Sequence, residues 1–218
     1  NTATSQGGGM YNLISSPAVS NCTFSGNTTN LDGGGMYNHK SSTTEINCTF
    51  SGSTANYDGG GMSNRPSSSP TVINCTFSGN TADSAGGGMY NRSESSPTLT
   101  GCSFTDNLAG YGGGGMVNSN SSPTLEDCTF EDNSASAGGA GGGMYNSNNS
   151  SPTLTNTILC GNTPEQVYGA FTDNGGNCIQ ESCADCEDCT GDFNSDGEVN
   201  GQDLGVFLVE WGQCADCA

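Results

Sequence analysis

Residues 86–107 read GGGMYNRSESSPTLTGCSFTDN, and this pattern returns along most of the 218-residue chain. Gly-Gly-Gly-Met recurs at spacings of 26 to 28 residues, and a Cys-Thr-Phe-like segment follows the first five copies in the same phase. The methionines of the repeats are Met10, Met36, Met62, Met89, Met116 and Met144. A fixed period of this length predicts a solenoid, because one such unit is too small to bury its own apolar side and must stack on its neighbours.

Each repeat is predicted to consist of short strands. Within Cys-Thr-Phe, the alternation of side chains places Cys and Phe on one face and Thr on the other. The content of Gly, Ser, Thr and Asn excludes helices. We expect three strands separated by three turns in each repeat, with equivalent residues of successive repeats about 4.8 Å apart. The sequence therefore predicts an all-β fold, a parallel β-helix of about six rungs.

The interior of such a β-helix is expected to hold ladders of equivalent side chains. Besides the methionines, these are an aliphatic ladder (Val19, Val72, Leu99, Leu125, Leu154), a Cys ladder (Cys22, Cys48, Cys75, Cys102, Cys128) and a Phe ladder (Phe24, Phe50, Phe77, Phe104, Phe130). An Asn ladder is expected at the turn after each Phe, with amides bonded from rung to rung (Asn27, Asn80, Asn107, Asn133, Asn162). Ser53 interrupts the Asn ladder and Glu45 the aliphatic ladder. The ladder cysteines are interpreted as small buried hydrophobic side chains.

The net charge of the chain limits the kinds of partner that it could bind. The net charge is −19 with only 3 Lys plus Arg, so nucleic acid and anionic membranes are poor partners, and we expect no nucleic acid to bind. No apolar run approaches the roughly 18 to 20 residues that cross a bilayer, so we expect no transmembrane segment. The 12 cysteines, together with many Asn-x-Ser/Thr sequons, favour an oxidising compartment. We therefore expect the protein outside the cell or on its surface.

The repeat motifs resemble those of a known family. Phe-x-x-Asn followed by Gly-Gly-Gly-Met is similar to the repeat of polymorphic outer-membrane-protein-type β-helices, and the resemblance covers residues 1–164. It implies a right-handed helix and a secreted or surface-displayed adhesive or structural stalk. The same fold also hosts polysaccharide lyases and hydrolases, so the fold alone does not identify the function.

The first residues indicate an open end. Residues 1–6 before Gly7 align with residues 80–85 before Gly86, so the chain begins partway through a rung. An open rung presents unpaired backbone and invites another chain. We expect either head-to-tail assembly of copies of this chain or a fragment of a longer chain.

A calcium-binding loop is predicted near the other end, in residues 191–218. Oxygen ligands fall at positions 1, 3, 5, 9 and 12 of the loop, Gly occupies position 6, and a backbone carbonyl supplies position 7. These ligands are Asp192, Asn194, Asp196, Glu198, Asn200 and Asp203. Apolar residues follow at helical spacing, and the segment resembles a single dockerin type I repeat, which implies Ca²⁺ as the cofactor. Dockerins carry two such repeats, so recognition of a cohesin does not follow.

The cysteines outside the ladder are disulfide candidates. They are Cys160, Cys178, Cys183, Cys186, Cys189, Cys214 and Cys217, most of them in a Cys-rich connector over residues 165–190 or in the calcium-binding segment. Their Cys-x-x-Cys spacings also suit zinc, but a secreted context and the lack of an apolar core favour disulfides. Cys160 is out of phase with the ladder, where Thr157 takes the Cys place. We expect Cys160 to point outward and to pair with Cys178.

Two pairs of carboxylates are expected on neighbouring rungs, Asp32 with Asp58 and Asp106 with Asp132. Each pair would lie about 5 Å apart, close to the separation in retaining glycosidases. Lys40, Arg65 and Arg92, at nearly equivalent positions on adjacent rungs, are the candidate bases of a lyase and are more simply a solvated row. The sequence indicates no aromatic subsite cluster and no hydrolase motif, so we expect a protein that is not an enzyme.

Glycosylation is expected at exposed sequons. Asn-x-Ser/Thr occurs at Asn21, Asn27, Asn47, Asn74, Asn91, Asn120, Asn148 and Asn149. The first four of these are expected next to buried ladders, whereas Asn91, Asn120, Asn148, Asn149 and the Ser-Ser-Pro corners are expected in exposed turns. Sugar linked to Ser or Thr is as compatible with the pattern as sugar linked to Asn.

Three functions remain open on the sequence. The first is an extracellular structural protein that assembles end to end into a filament or stands as a stalk, stabilised by calcium and disulfides and coated with carbohydrate. The second is an adhesin whose dockerin-like tail binds a surface partner or glycans. The third is a polysaccharide-active enzyme that uses the stacked carboxylates.

Overall fold

The structure is a computed structural model that describes residues 1–136 and 138–187. The predicted calcium ligands, Asp192, Asn194, Asp196, Glu198, Asn200 and Asp203, lie outside the described residues, as do Cys189, Cys214 and Cys217. The predicted ligation and these cysteines therefore stay predictions.

The described chain winds through six rungs of four strands each. The first three rungs are β1 (Thr2–Ala3), β2 (Met10–Leu13), β3 (Ala18–Ser20), β4 (Thr23–Ser25); β5 (Thr28–Thr29), β6 (Met36–His39), β7 (Thr44–Ile46), β8 (Thr49–Ser51); and β9 (Thr54–Ala55), β10 (Met62–Arg65), β11 (Thr71–Ile73), β12 (Thr76–Ser78). The next three are β13 (Thr81–Ala82), β14 (Met89–Arg92), β15 (Thr98–Thr100), β16 (Ser103–Thr105); β17 (Leu108–Ala109), β18 (Met116–Ser119), β19 (Thr124–Glu126), β20 (Thr129–Glu131); and β21 (Ser134–Ala135), β22 (Met144–Ser147), β23 (Thr153–Thr155), β24 (Ile158–Cys160).

A seventh, shorter rung consists of β25 (Val167–Tyr168), β26 (Thr172–Asp173) and β27 (Cys178–Gln180), and the helix α1 (Ala184–Glu187) follows it. The solenoid thus continues past residue 164, where the recognisable repeat ends. Backbone pairing needs no particular side chain, and Val167, Phe171 and Ile179 supply the apolar contacts to the core.

The strands form four parallel sheets, which we name A to D in the order in which each rung visits them. Sheet A has six strands, from β1 to β21, and sheets B, C and D have seven strands each. The prediction of three strands per repeat is wrong. The two residues after each turn Asn, such as Thr81–Ala82, pair with their equivalents in the neighbouring rungs and make a fourth sheet.

The predicted apolar ladders form the core. Met36, Met62, Met89, Met116 and Met144 are fully buried, as are the four phenylalanines from Phe50 to Phe130. Successive Phe rings stack nearly parallel at centroid distances of 4.5 to 4.8 Å. Stacked rings and methionines exclude water from a thin interior in which bulky aliphatic side chains are few.

The Asn ladder after each Phe is confirmed, and a second Asn ladder accompanies it. Asn107 donates from Nδ2 to Asn133 and to the carbonyl of Phe77, and its Oδ1 accepts from Asn80. Ser53 keeps the ladder continuous, because its hydroxyl accepts from the backbone of Asn27 and its backbone donates to Asn80. The second ladder was missed in the sequence, although Met-Tyr-Asn alternation places Asn on the same inner face as Met: Asn12, Asn38, Asn64, Asn91, Asn118, Asn146.

The Ser-Ser-Pro corners also bond from rung to rung. Except at the exposed Ser15 in the first rung, the first serine of each corner is buried, and its hydroxyl accepts from the backbone of the preceding rung, as Ser68 does from Ser41. The second serine lies nearer the surface, and Ser42 accepts from the backbone of Ser69. The expectation of exposed corners is therefore wrong for the first serine, because its hydroxyl closes the turn of its neighbour.

The glycine runs let adjacent rungs approach closely. A Cβ atom at Gly60 would lie 2.5 Å from the carbonyl oxygens of Gly87 and Thr81 in the next rung. A side chain at this position would force the rungs apart, which explains why Gly-Gly-Gly precedes each buried methionine.

Two disulfides join the last rung to the residues that follow it. Cys160 pairs with Cys183, and Cys178 pairs with Cys186. The predicted pair of Cys160 with Cys178 is therefore wrong. Cys160 and Cys178 lie on the adjacent strands β24 and β27 but are out of register, because Cys160 is the register partner of Gln180. The helix α1 follows directly and brings Cys183 and Cys186 within reach. Both are oxidised, so neither is available as a zinc thiolate.

Candidate functional site

A row of tyrosines runs along the outer face of sheet B. The row, which we call the tyrosine row, contains the residue after each repeat Met and its register partner in β25: Tyr11, Tyr37, Ser63, Tyr90, Val117, Tyr145 and Tyr168. The rings of Tyr11 and Tyr37 stack at 5.3 Å, and those of Tyr145 and Tyr168 at 5.0 Å. Tyrosine is absent from the row in the third rung, at Ser63, and in the fifth, at Val117.

Two further tyrosines lie in the connectors between sheets A and B. Tyr57 and Tyr111 occupy one column of backbone hydrogen bonds and are 56% and 74% exposed. Tyr111 lines the same cavity as Tyr90 and Tyr145 of the tyrosine row. This arrangement of tyrosines was missed in the sequence. The repeated Met-Tyr-Asn motif was the signal, since alternation in a strand places its Tyr outward whenever Met and Asn point inward.

In the third rung an arginine takes the place of the missing tyrosine ring. Nη2 of Arg65 lies 3.0 Å from Oδ1 of Asp32 and 2.7 Å from Oδ2 of Asp58, and its guanidinium lies over the ring of Tyr90. The small side chain of Ser63 leaves the room for this arrangement. All three charged side chains are mostly buried, so the ion pairs are only weakly screened by solvent.

The titration of this cluster reflects burial opposed by charge. Burial raises the pKa of Asp32 above its usual value, although the charge of Arg65 opposes the shift. Burial also opposes the charge of Arg65, but the carboxylates of Asp32 and Asp58 raise its pKa above the usual value. Burial raises the pKa of Tyr90 as well, and the charge of Asp58 adds to that shift. The cluster is thus a cation held between two carboxylates and an aromatic face.

The stacked carboxylates are not equivalent to one another. Asp32 and Asp58 lie together as expected, and each carboxylate accepts a hydrogen bond from the guanidinium of Arg65. Asp106 and Asp132 are exposed and lie at turns with φ of 54°, which the short polar side chain of Asp tolerates. Their spacing is explained by turn geometry alone.

The predicted row of Lys40, Arg65 and Arg92 is only partly formed. The register partner of Arg65 is His39, so Lys40 lies one residue beyond the row, in a turn with φ of 50°. Arg92 is exposed and is the register partner of Ser119. The three basic side chains therefore do not converge on one position.

In the fifth rung, Val117 takes the tyrosine position and is itself buried. Val117 is the register partner of Tyr90 on one side and of Tyr145 on the other. A cavity of about 170 Å³ lies above it, lined by Tyr90, Tyr111, Val117, Ser119, Tyr145 and Ser147. We call this cavity the slot. Its floor includes Ala85 and Gly112, which stand in the column that Asp32 and Asp58 occupy in the second and third rungs.

A buried carboxyl group lies inside the solenoid. Glu45 is the register partner of Val19 and Val72 in the aliphatic ladder and is fully buried. Within the described part of the chain, neither carboxyl oxygen of Glu45 has a hydrogen-bond partner. Burial, which the nearby Thr43 hydroxyl offsets only in part, raises the pKa of Glu45 to about 7.

The ladder cysteines are free thiols. Cys48, Cys75, Cys102 and Cys128 are buried, as expected of small hydrophobic side chains. Burial raises the pKa of Cys75 to about 12, so this thiol is unreactive at neutral pH. Cys22 is exposed, contrary to the expectation, because it lies in the first described rung and only one rung packs against it.

The sequons fall into three groups. Asn21, Asn47 and Asn74 are exposed at turns with φ near 50°, and Asn120, Asn148 and Asn149 are exposed as expected. Asn27 is buried in the ladder after Phe. The expectation that Asn91 lies in an exposed turn is wrong, because its amide is fully buried between Asn64 and Asn118.

Two general features concern ions and membranes. Across residues 1–136 and 138–187, no three His, Cys, Asp or Glu side chains converge as a metal site would require. Helices of the length and apolar character needed to span a bilayer are not found among the same residues.

The comparisons with known proteins agree with the architecture. The family described as "Right handed beta helix region" matches residues 10–190, which is most of the chain. No curated protein and no solved structure gives a match. The match confirms the predicted right-handed parallel β-helix and extends over the strands of sheet B that carry the tyrosine row. The chain therefore belongs to the right-handed β-helix family.

Proposed function

We propose that this chain is a structural segment of an extracellular rod, in which rungs stack end to end into a filament or a surface stalk. The repeat of polymorphic outer-membrane-protein-type β-helices, which it resembles, supports the same function. The observation that carries the proposal is the continuity of the four sheets.

Each rung is bonded to the next along a single axis. Sheets B, C and D run unbroken through seven strands, which corresponds to a length of about 29 Å at about 4.8 Å per rung. The two Asn ladders, the Ser-Ser-Pro ladder and the Phe stack repeat the same contacts at each step. Because identical contacts recur at every rung, bending the axis would break several of them at once, and the segment behaves as a stiff rod.

The edge formed by β2, β3 and β4 is where a further rung would pack. In the described residues these strands pair on one side only. Tyr11, Leu13 and Ile14 are exposed at this edge, and Met10 and Phe24 are only partly buried. Unpaired backbone beside exposed apolar ladder atoms favours addition of a strand layer. We propose that this layer is another rung, supplied by the same protein or by a second copy.

The proposal includes binding of Ca²⁺ by residues 191–218. The dockerin-like loop from Asp192 to Asp203 would hold Ca²⁺ and stabilise residues 191–218. The two disulfides support an oxidising, extracellular location, and exposed sequons such as Asn120 would carry the glycans.

We further propose that the chain is not an enzyme. The support is the engagement of Asp32 and Asp58 with one guanidinium, which leaves neither carboxylate free to act as an acid, a base or a nucleophile. Turnover of any acidic glycan that is lost in an Asp32→Asn and Asp58→Asn double variant would contradict this.

Electron microscopy of the natively isolated protein, before and after calcium chelation, tests the rod. We expect long fibres that shorten on chelation, and we expect Leu13→Glu, at the open edge, to shorten them as well. Leu108→Glu is the matched control, because Leu108 is similarly exposed on sheet A and its strand is paired on both sides. Single short rods under all conditions would contradict assembly of copies.

A further inference from the structure

The tyrosine row ends, on each side of the described solenoid, with a ring that is only half covered. Tyr11 in the first rung and Tyr168 in the seventh are both 46% exposed. Tyr37 and Tyr90, which have a rung on each side, are only 6% and 8% exposed, and Tyr145 is half-buried. The two end rings are therefore exposed on the side where the next ring of the row would lie.

Each end ring already stacks on its inner neighbour. The rings of Tyr11 and Tyr37 are 5.3 Å apart and inclined by 10°, and those of Tyr145 and Tyr168 are 5.0 Å apart and inclined by 6°. Because one face of each end ring lies against this neighbour, the opposite face is turned away from the solenoid. Among the described residues, no second ring stacks on Tyr11 or Tyr168. Each end of the row thus presents a surface on which one more ring can stack.

The strand directions decide which two ends can meet. In the described residues all neighbouring strands are parallel, including those of the first and the seventh rung. Two first rungs would face each other across a twofold axis, and their strands would run antiparallel. A seventh rung against the first rung of another copy keeps the strands parallel, with β25 beside β2, β26 beside β3 and β27 beside β4. We call this contact the joint, and in it Tyr168 lies next to Tyr11 of the next copy at the rung spacing of about 4.8 Å.

The same register brings the apolar ends of the core together. Val167 continues the Met ladder and Ile179 continues the Phe ladder in the seventh rung. In the joint, Val167 therefore lies beside Met10 of the next copy, and Ile179 lies beside Phe24. All four side chains are only partly buried in the single chain, so the joint removes apolar surface from water at both ladders.

The polar groups of the seventh rung are satisfied within the rung or by its neighbour. Asp173 stands in the aliphatic ladder, but its carboxylate accepts from the backbone of Gly175 and from Nδ2 of Asn177. The Asn ladder of sheet B ends at Asn146, which donates to the carbonyl of Ala170. Because neither ladder continues, the joint depends on the tyrosine row and on the apolar contacts.

We infer that copies of this chain join head to tail through the tyrosine row, with Tyr168 of one copy stacked on Tyr11 of the next. The inference rests on the structural function proposed above, and it names the partner of the open edge, a second copy, together with the register of the contact. Each joint then contains a stack of four rings, in the order Tyr145, Tyr168, Tyr11 and Tyr37.

Cysteine cross-linking of the whole chain tests the register. Tyr11→Cys and Tyr168→Cys are made separately in a Cys22→Ser background, because Cys22 is an exposed thiol in the same first rung. In the joint the two new cysteines would lie on neighbouring strands about 4.8 Å apart, a Cα separation that a disulfide allows. Diamide oxidises the two thiols to one disulfide and is itself reduced to the hydrazine. We expect covalent dimers when the two variants are mixed, and none when either variant is oxidised alone.

A matched control uses a tyrosine outside the row. Tyr57 is 56% exposed and lies in a connector, so Tyr57→Cys mixed with Tyr168→Cys should give no dimer. Sedimentation velocity measures the contribution of the rings themselves. Tyr11→Ser and Tyr168→Ser should each raise the protein concentration needed for half-assembly about tenfold, because each removes a stacked ring and the apolar area that it buries. Tyr57→Ser should leave this concentration unchanged.

The outcomes separate the joint from the rod. Fibres that form without the mixed cross-link, and that assemble equally well in Tyr11→Ser and Tyr168→Ser, would overturn the joint and leave the proposed rod intact. Cross-links in Tyr11→Cys alone or in Tyr168→Cys alone would show a twofold contact, and equal cross-linking of Tyr57→Cys would show a nonspecific one; either result overturns the joint. A parent protein that stays as single short rods would contradict assembly of copies, and the joint with it.

Discussion

The guanidinium carbon of Arg65 lies 4.7 Å from the centroid of the Tyr90 ring in the next rung. The same group bridges Asp32 and Asp58, which come from two other connectors. One arginine thus ties three rungs together on the outer face of sheet B, where the missing ring at position 63 would otherwise leave a gap.

Removal of this arginine is expected to destabilise the solenoid. In Arg65→Met, two mostly buried carboxylates would face each other without a cation, at a cost of about 3 kcal/mol in the free energy of unfolding at pH 7. At pH 3 the loss should be smaller, because burial raises the pKa of Asp32 and so favours its uncharged form in acid. Urea unfolding at the two pH values measures both, with the exposed Arg92→Met as control, for which we expect a change within about 0.5 kcal/mol. Equal losses for both variants would contradict the assigned role of Arg65.

Glu45 is expected to make the stability fall as the pH rises. Its pKa is about 7 in the folded protein and 4.5 in the unfolded chain, so between these values the unfolded chain binds fewer protons and the free energy of unfolding decreases with pH. Below pH 4.5 the Glu45 carboxyl group is protonated in both the folded and the unfolded state, so it adds no pH dependence to the free energy of unfolding. The full decrease is about 3 kcal/mol, complete above pH 7.

Glu45→Val tests this directly, since Val19 and Val72 occupy the neighbouring places in the ladder. We expect the variant to be more stable than the parent at pH 8 and to lose the decrease between pH 4.5 and 7. Glu126→Gln, at an exposed position, serves as the control and should retain it. A decrease that persists in Glu45→Val would place the titrating group elsewhere.

The Asn ladder after Phe is expected to tolerate serine better than alanine. Asn107→Ala would remove the acceptor of the Asn80 backbone and side-chain amides and the side-chain donor to the Phe77 carbonyl, at a cost of about 2 to 4 kcal/mol. Asn107→Ser keeps an acceptor in the ladder, as Ser53 does in the third rung. Thermal unfolding ranks the stabilities of the two variants. An equal loss of stability in both would show that the ladder contributes through packing alone.

Thiol reactivity should separate Cys22 from the rest of its ladder. Cys22 is exposed, whereas Cys48, Cys75, Cys102 and Cys128 are buried among apolar side chains. Alkylation of the native protein with iodoacetamide, followed by peptide mapping, is expected to modify Cys22 at least tenfold faster than the other four. Similar rates for all five would mean that the solenoid opens on the timescale of labelling, and protection of Cys22 would indicate that another rung covers the edge.

Much of the architecture could be predicted because, in a solenoid, residues that lie one repeat apart in the sequence become neighbours in space. Once Met, Phe and Asn recur in phase, equivalent residues become neighbours, and the ladders and their register follow from strand alternation. The fourth sheet was missed because a two-residue segment such as Thr81–Ala82 carries no alternation by which to recognise it. Asn91 was wrongly predicted to be exposed, because a sequon shows that an Asn could be glycosylated and does not show whether it is buried.

The sequence by itself determined the repeat, the right-handed β-helix resemblance, the composition of the ladders and the outward position of Cys160. Only the tertiary structure decided which cysteine reaches Cys160, how Arg65 occupies one gap in the tyrosine row, and that Tyr111 and Val117 line one cavity. The reason is physical. Period and alternation specify which residues share a ladder, whereas connectors of variable length set which side chains cross between ladders, and those crossings create the ion pairs, the disulfides and the slot.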